Sequence, residues 1–234
     1  MASTIAIVDR AIGQKKRIKH IVVNAAKVVY MQTNKDLFNS VVSSDIINAD
    51  GQGVVLAARF LGTPLPERVA GIDLMEKLIE LSNRRKYKIF FLGANEFIVQ
   101  KVVSKYVAKY SKDIVAGYRN GYFSQFEEEA VVNQISLSNA DILFVGISSP
   151  KKELFLNKYS NILKVPLIMG VGGSFDVVAG LTKRAPLWMQ KFSLEWLFRF
   201  LQEPQRMWKR YLKTNTLFIY YVLKEKFKKR MFLK

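Results

Sequence analysis

The chain of 234 residues contains no cysteine and a single histidine, His20. Without cysteine, a disulfide framework, a thiolate zinc site and a cysteine nucleophile are all excluded. One histidine also rules out a histidine-rich metal centre and disfavours a Ser-His-Asp triad. Because His20 lies in the charged run 15–20, we expect it to be an ordinary surface residue.

Long uncharged segments are also missing. The longest uncharged segment, residues 165–175, has eleven residues, whereas a helix that crosses a bilayer needs roughly 20. We therefore predict no transmembrane helix. The first ten residues lack the basic and apolar segments of a secretory signal, so we expect a cytoplasmic protein.

Acidic residues are scarce: 19 Asp and Glu stand against 37 Lys and Arg, which gives a net charge of +18. Residues 205–234 hold half of that charge, with ten basic residues, one acid and seven aromatics. Read as a helix, this tail is amphipathic, and its mixture of cations and aromatic rings suits an anionic membrane surface. Packing of the stripe on the protein's own core, or nucleic acid as the anion, are the alternatives.

Half of the residues are apolar, enough for one domain with a sizeable core and an appendage. Three apolar runs each end in a glycine and give way to a helical pattern. They are 88–92 before Gly93, 141–145 before Gly146, and 165–169 before Gly170. The alternation predicts an α/β fold, a Rossmann-like parallel sheet covered by helices on both faces. We assign residues 1–191 to this catalytic domain and residues 192–234 to a basic helical appendage.

Ligands of parallel sheets bind at the carboxyl ends of the strands, where glycines admit close approach of the backbone to phosphate. The three glycine turns should converge there, although each could also be only a tight turn. The dinucleotide fingerprint is incomplete, because Phe175 occupies the third glycine position after Gly170 and Gly172. An NAD-dependent oxidoreductase is therefore disfavoured.

The N-terminal third is less regular. Residues 21–31 resemble a strand, 37–47 a short helix and 54–61 a helix, which places Asp50 near a helix entrance. The Asp50-Gly51 pair alone indicates a turn or cap as readily as a chemical role. Asn95 and Ser149 are predicted to cap the helices that follow the first two glycine turns.

At this point a succession of motifs resembles the WecG/TagA/CpsF glycosyltransferases, glycosyltransferase family 26, over about residues 33–211. The motifs are Thr33-Asn34, Asp50-Gly51, Glu67-Arg68-Val69-Ala70-Gly71-Ile72-Asp73, Phe91-Leu92-Gly93, Gly121-Tyr122-Phe123, Ser149-Pro150-Lys151-Lys152-Glu153, Gly172-Gly173-Ser174-Phe175-Asp176, Lys183-Arg184-Ala185-Pro186 and Leu194-Glu195-Trp196. The resemblance implies an inverting enzyme that moves a hexose or N-acetylhexosamine from a UDP-sugar to a polyprenyl-diphosphate-linked sugar. Such an enzyme builds a wall, capsular or exopolysaccharide unit from the inner face of the cell membrane, where its basic appendage completes the active site.

The resemblance also implies roles for single residues. Asp50 matches the acidic position proposed as general base, Thr33 the polar position that orients a sugar, and Asn34 an assisting one. The diphosphate would be held by the backbone of 172–174 and by arginines of the appendage, although each arginine could be only an interfacial charge. The arginines are Arg199, Arg206 and Arg210, and the other candidate substrate contacts are Gly93, Asn95, Gly146, Ser148, Ser149, Lys151, Lys152, Glu153, Gly172, Gly173, Ser174, Phe175 and Asp176.

No Asp-x-Asp pair occurs in the sequence, so we expect an enzyme without a metal or other cofactor. Relatives commonly carry Gln where this chain has Lys152, and the extra positive charge raises an acidic UDP-uronic acid donor as an alternative. The segment between Thr33 and Asp50 is shorter than in many relatives, which bears on the acceptor side. A basic nucleic-acid-binding protein remains a rival class without a recognisable module, and self-association into a homo-oligomer is left open.

Overall fold

Six parallel strands form one sheet in the order β2-β1-β6-β5-β3-β4. They are β1 (Ile18–Val23), β2 (Ile46–Ala49), β3 (Ile89–Gly93), β4 (Val115–Arg119), β5 (Ile142–Gly146) and β6 (Leu167–Gly170). The computed structural model describes residues 1–192 and 194–232, with the backbone alone at 191, 206, 210 and 229–232. β3 and β6 are buried along their whole length, as expected for strands covered by helices on both faces.

Twelve α-helices are seen in the part of the chain that the structure describes. They are α1 (Ala2–Gly13), α2 (Ala25–Met31), α3 (Lys35–Val42), α4 (Gln52–Phe60), α5 (Gly71–Arg85), α6 (Glu96–Lys109), α7 (Glu128–Leu137), α8 (Lys151–Tyr159), α9 (Ser174–Val178), α10 (Leu187–Lys191), α11 (Glu195–Gln202) and α12 (Pro204–Phe232). Helices flank the sheet, so the predicted Rossmann-like α/β class is confirmed.

Two compact units make up the chain, and each is assembled from separate segments. The first contains Met1–Val22, Asn39–Ile47 and Gly71–Thr182; the second contains Val23–Phe38, Asn48–Ala70 and Lys183–Lys234. The glycine turns after β3, β5 and β6 belong to the first unit, whereas Asp50 and the C-terminal helices belong to the second. The predicted boundary between residues 191 and 192 stays a prediction.

Several local predictions are confirmed. Asn95 caps α6 by accepting a hydrogen bond from the backbone N–H of Ile98 at 2.9 Å, and α4 begins directly after Gly51, which puts Asp50 at a helix entrance. The tail forms one helix from Pro204. Among the described residues, none of the helices combines the length and the apolar character that a bilayer span requires.

Other local predictions are wrong, each for a local reason. The stretch 21–31 is not one strand, because Asn24 accepts a hydrogen bond from the backbone N–H of Lys27 and starts α2. The predicted helix 37–47 ends at Val42 and is followed by β2. Helix α8 begins at Lys151 with Pro150, not Ser149, at its N-cap.

The prediction that His20 lies on the surface is also wrong. His20 is completely buried, because the last three residues of the charged run, 18–20, already belong to strand β1. β1 is an inner strand of a sheet that helices flank, so the side chains of its middle residues are enclosed whatever their polarity.

Candidate active site

In the first unit, backbone hydrogen bonds join the turns that follow neighbouring strands. The Ala94 N–H donates to the Gly146 carbonyl at 3.1 Å, and the Gly121 N–H donates to the Ala94 carbonyl at 2.8 Å. The Val171 N–H donates to the Val145 carbonyl at 2.9 Å. The turns after β3, β5 and β6 and the Gly121 loop after β4 therefore meet at the carboxyl edge of the sheet, which is the usual ligand side of such folds.

Two of these turns are closed by packing. A methyl group built on Gly93 would lie 2.4 Å from the carbonyl carbon of Gly146, and Gly93 has a φ of +140°. A methyl group on Gly146 would lie 2.5 Å from the ring of Phe175. Phe175 is itself fully buried, and its ring centroid lies 6.0 Å from that of Phe91. Gly93, Gly146 and Phe175 are therefore packing positions that fix the backbone of these turns.

The turn after β6 is more open. Gly172 has a φ of +54°, and a methyl group built there would have no atom within 4 Å among the described residues. Gly173 is exposed, and the Ser174 hydroxyl closes the turn by donating to the Val171 carbonyl at 2.7 Å. Asp176 follows in the first turn of α9 and is half-buried. Of the glycine turns, this one leaves the most backbone open to a ligand.

The start of α8 divides into an exposed part and a buried part. Ser148 and Ser149 are exposed, and the Lys151 ammonium donates to the Phe123 carbonyl at 3.0 Å while lying 4.6 Å from the centroid of its ring. The Lys151 contact ties the start of α8 to the loop after β4.

Lys152 and Glu153 lie inside the first unit. They are 5% and 0% exposed, and the Lys152 Nζ lies 3.4 Å from a Glu153 carboxylate oxygen. The Lys152 side chain crosses Gly170, where a methyl group would come within 2.7 Å of its Cε. Ser40 donates from its hydroxyl to the Glu153 carbonyl at 3.0 Å. The positive charge of Lys152 is therefore buried beside a carboxylate.

In the second unit, Asp50 directly follows β2 at the carboxyl end of the strand. Its backbone N–H donates to the Val23 carbonyl at 2.8 Å, and its side chain is half-buried. Asn24, the residue after β1, therefore lies near Asp50. Sequence reasoning missed Asn24 as a candidate, although a polar residue between Val23 and Ala25 was a signal that the apolar strand had ended.

Thr33 and Asn34 follow the opposite end of α2. The Thr33 hydroxyl donates to the Tyr30 carbonyl at 3.3 Å, and Asn34 accepts from the backbone N–H of Leu37 at 2.8 Å. The seven residues of α2 correspond to about 10 Å of helix. That length separates Thr33 from Asn24, so the two polar positions occupy different ends of this helix.

Two arginines hold the start of α11, also in the second unit. Glu195 pairs with Arg68, and its other oxygen lies 3.9 Å from the Arg184 Nε. At the other end, the Gln202 amide accepts from the Lys183 N–H at 3.1 Å and donates to the Lys183 carbonyl at 3.0 Å. Both ends of α11 are thus attached to the chain around residues 183–184.

A family model described as "Glycosyl transferase WecG/TagA/CpsF family" matches residues 1–231. The chain belongs to this family. It is similar to the N-acetylglucosaminyldiphosphoundecaprenol N-acetyl-beta-D-mannosaminyltransferase of Bacillus subtilis (strain 168), with 36% identity over 201 residues, 86% of this chain and 77% of the relative. The protein of the same name from Staphylococcus aureus (strain MW2) is 34% identical over 206 residues, 88% of this chain and 80% of the relative. The chain is therefore a glycosyltransferase, as the sequence motifs predicted.

Three of the motifs that resemble the WecG/TagA/CpsF family meet at Glu195, because Arg68, Arg184 and Glu195 each come from a different one. Arg199 is exposed on α11, whereas the side chains of Arg206 and Arg210 lie outside the described residues. Within the first unit the structure brings together the motifs around Gly93, Gly121 and Gly146. The role of each of these residues toward substrate stays a prediction.

Proposed function

We propose that this glycosyltransferase moves an N-acetylhexosamine or hexose from a UDP-sugar to a polyprenyl-diphosphate-linked sugar, with inversion, in the synthesis of a cell-surface polysaccharide. The observation that carries the proposal is the similarity to two enzymes whose names state the transferred sugar and the acceptor. Their names give N-acetylmannosamine as the transferred sugar and N-acetylglucosaminyldiphosphoundecaprenol as the acceptor. Family membership leaves the oxidoreductase and nucleic-acid alternatives without support.

The open turn at 171–174 is the best candidate for the diphosphate of the donor. Gly172 and Gly173 leave the backbone accessible, and backbone N–H groups at such turns donate to phosphate oxygens. When the sugar–phosphate bond breaks, charge grows on the leaving diphosphate, and fixed donors stabilise it. Arg199, Arg206 and Arg210 of the second unit are separately proposed to contact phosphate, because a guanidinium group binds two oxygens at once.

Asp50 is proposed as the general base. Inversion requires a group that takes the proton from the acceptor hydroxyl while its oxygen attacks the anomeric carbon opposite the diphosphate. A half-buried carboxylate at the carboxyl end of a parallel strand suits this role, because ligands bind at that edge. Asn24 lies at the end of the adjacent strand; its side-chain oxygen caps α2, and its amide N–H₂ group is proposed to position the acceptor sugar.

A neutral donor fits the site better than a uronic acid. Because Lys152 is buried beside Glu153, the carboxylate offsets the positive charge that would favour an acidic sugar. We expect UDP release with a neutral UDP-N-acetylhexosamine and a short-chain lipid diphosphate N-acetylglucosamine, and much slower release with UDP-glucuronic acid. A panel of UDP-sugars assayed against this one acceptor measures the preference. Exclusive use of UDP-glucuronic acid would exclude the neutral donor, and no turnover with any donor would remove the proposed function.

We also propose catalysis without a bound metal. The chain has no Asp-x-Asp pair and has a large excess of Lys and Arg over acids, so arginines and backbone N–H groups would neutralise the diphosphate. Addition of EDTA should therefore leave kcat and KM close to their values in untreated enzyme. The same assay with added Mg²⁺ or Mn²⁺ serves as the control. Loss of turnover in EDTA that Mn²⁺ alone restores would contradict this proposal.

The enzyme is proposed to act while attached peripherally to the inner face of the cell membrane through α12. Some side chains of α12 are buried against the protein and others are exposed. Met207, Thr214 and Phe218 are buried, whereas Leu212, Ile219 and Phe227 are exposed among lysines. One side therefore packs on the second unit, and the exposed apolar residues are available to lipid.

A further inference from the structure

Two contacts join helices α4 and α12 within the second unit. A methyl group built on Gly53 of α4 would lie 4.0 Å from the ring of Phe218 on α12. At the end of α4, the Lys226 ammonium donates to the Phe60 carbonyl at 2.8 Å and lies 5.1 Å from the centroid of its ring. Contacts thus advance in the same direction along both helices, so α4 and this part of α12 run parallel.

Both helices expose large apolar side chains close to this contact. On α4, Leu56 and Phe60 are 53% and 47% exposed, and Leu65 in the following loop is 39% exposed. On α12, exposed apolar residues line a shallow groove together with two lysines; the lining residues are Tyr220, Leu223, Lys224, Phe227 and Lys228. We call the exposed side chains of Leu56, Phe60, Leu65, Tyr220, Leu223 and Phe227 the α4–α12 face.

The charges around the α4–α12 face select its partner. Helix α4 contains Arg59 and no acid, and residues 218–228 contain three lysines and one acid, Glu225. Exposed aromatic and leucine side chains surrounded by cations are typical of proteins that bind the interface of an anionic bilayer. A second protein surface of ordinary composition would not need this excess of cations.

We propose that α4 and the loop 61–66 form a second membrane-contact element, which joins α12 in one lipid-binding face. The inference rests on the proposed function, since that function places the acceptor in a membrane. The sequence indicated membrane contact only for the basic tail. The inference adds α4, which has a single basic residue and therefore did not stand out in the charge pattern.

This arrangement links membrane contact to the proposed base. Asp50 lies two residues before α4, and the nine residues of α4 span about 14 Å. If the far end of α4 rests on the bilayer, α4 and the two residues before it hold the Asp50 carboxylate within about 20 Å of the lipid head groups. The sugar of a lipid-diphosphate acceptor also lies in the water next to the lipid head groups, and therefore at a distance from the membrane comparable to that of Asp50.

The test uses the full chain with Phe60→Glu and Leu65→Glu combined. The probe is vesicles of equal parts phosphatidylglycerol and phosphatidylcholine, with and without a long-chain lipid diphosphate N-acetylglucosamine. We expect the Kd for vesicles to rise by at least about tenfold, because two apolar side chains leave lipid and two carboxylates are repelled by it. Turnover of the vesicle-borne acceptor should fall in parallel, whereas turnover of a water-soluble short-chain acceptor should stay close to the wild-type rate.

Phe126→Glu combined with Leu137→Glu is the matched control, because Phe126 and Leu137 are 99% and 81% exposed and belong to the first unit. It introduces the same charge and should change neither binding nor turnover. If the double Glu variant shows a lower melting temperature, Phe60→Ala with Leu65→Ala replaces it, and a smaller rise in Kd is then expected.

Two results would overturn the inference. One is unchanged vesicle binding by both double variants. The other is a wild-type oligomer that becomes monomeric in the double variants while vesicle binding is kept, which would make the face a self-association surface. Failure of the proposed function is separate: wild-type enzyme would then turn over neither acceptor, whatever its affinity for vesicles.

Discussion

Replacement of Asp50 by Asn is expected to lower kcat by about 10²–10⁴-fold, the usual contribution of a positioned general base. Asn has nearly the same shape as Asp but cannot accept the proton of the attacking hydroxyl. The backbone hydrogen bond from Asp50 to Val23 does not involve the side chain, so the strand end should keep its structure. KM for the UDP-sugar should change little, because the substitution affects the transition state more than donor binding.

Asp36→Asn provides the matched control for this substitution. Asp36 is exposed in the first turn of α3, in the same unit as Asp50, and the chemical change is identical. Initial rates with the soluble acceptor, together with thermal melting of both variants, measure the effect. A rate near that of wild type for Asp50→Asn, with both proteins folded, would exclude Asp50 as the base.

Gly93→Ala should have the largest effect on stability. The new methyl group would come within 2.4 Å of the Gly146 backbone, and the φ of +140° at this position is strained for alanine. Because strain of this kind costs about 1–3 kcal/mol and overpacking a similar amount, the free energy of unfolding should fall by about 3 kcal/mol or more. The turns after β3 and β5 would be displaced together, so activity should fall as well.

Gly53→Ala is the control for Gly93→Ala. Gly53 lies inside α4, and the nearest atom to a new methyl group there, in the Phe218 ring, is 4.0 Å away. Alanine favours a helix over glycine by about 1 kcal/mol, so this variant should equal or exceed wild type in stability. Urea unfolding followed by circular dichroism measures both. A loss below about 1 kcal/mol for Gly93→Ala would contradict the close packing of the two turns.

The middle of the fold was predictable because its strands are short, wholly apolar and end in glycine. Continuous apolar runs such as Ile89–Gly93 need cover on both faces, and only a parallel sheet with flanking helices provides it at this spacing. The N-terminal third was less predictable. One capping side chain, Asn24, ends a run of β-branched residues and starts a helix, and β2 is only four residues long and half-exposed.

The candidate site was predictable as a set of turns but not in its internal contacts. Glycine spacing indicated that the turns meet. It could not distinguish Gly93, which packs on the backbone of Gly146, from Gly172, which has open space around it, since that difference depends on residues distant in sequence. The burial of Lys152 could not be predicted either. Its side chain has space inside the fold only because Gly170, at the end of β6, has no side chain.

The two arginines around Glu195 bear on how this enzyme could be shortened. Arg68 and Arg184 are largely covered, with 17% and 30% of their side chains exposed. Truncation before Glu195 would remove the carboxylate that both guanidinium groups share, and the loss of a charge partner costs more as the remaining charge is more shielded from water. The C-terminal region is therefore no detachable anchor, and a soluble fragment for crystallisation or screening should retain α11.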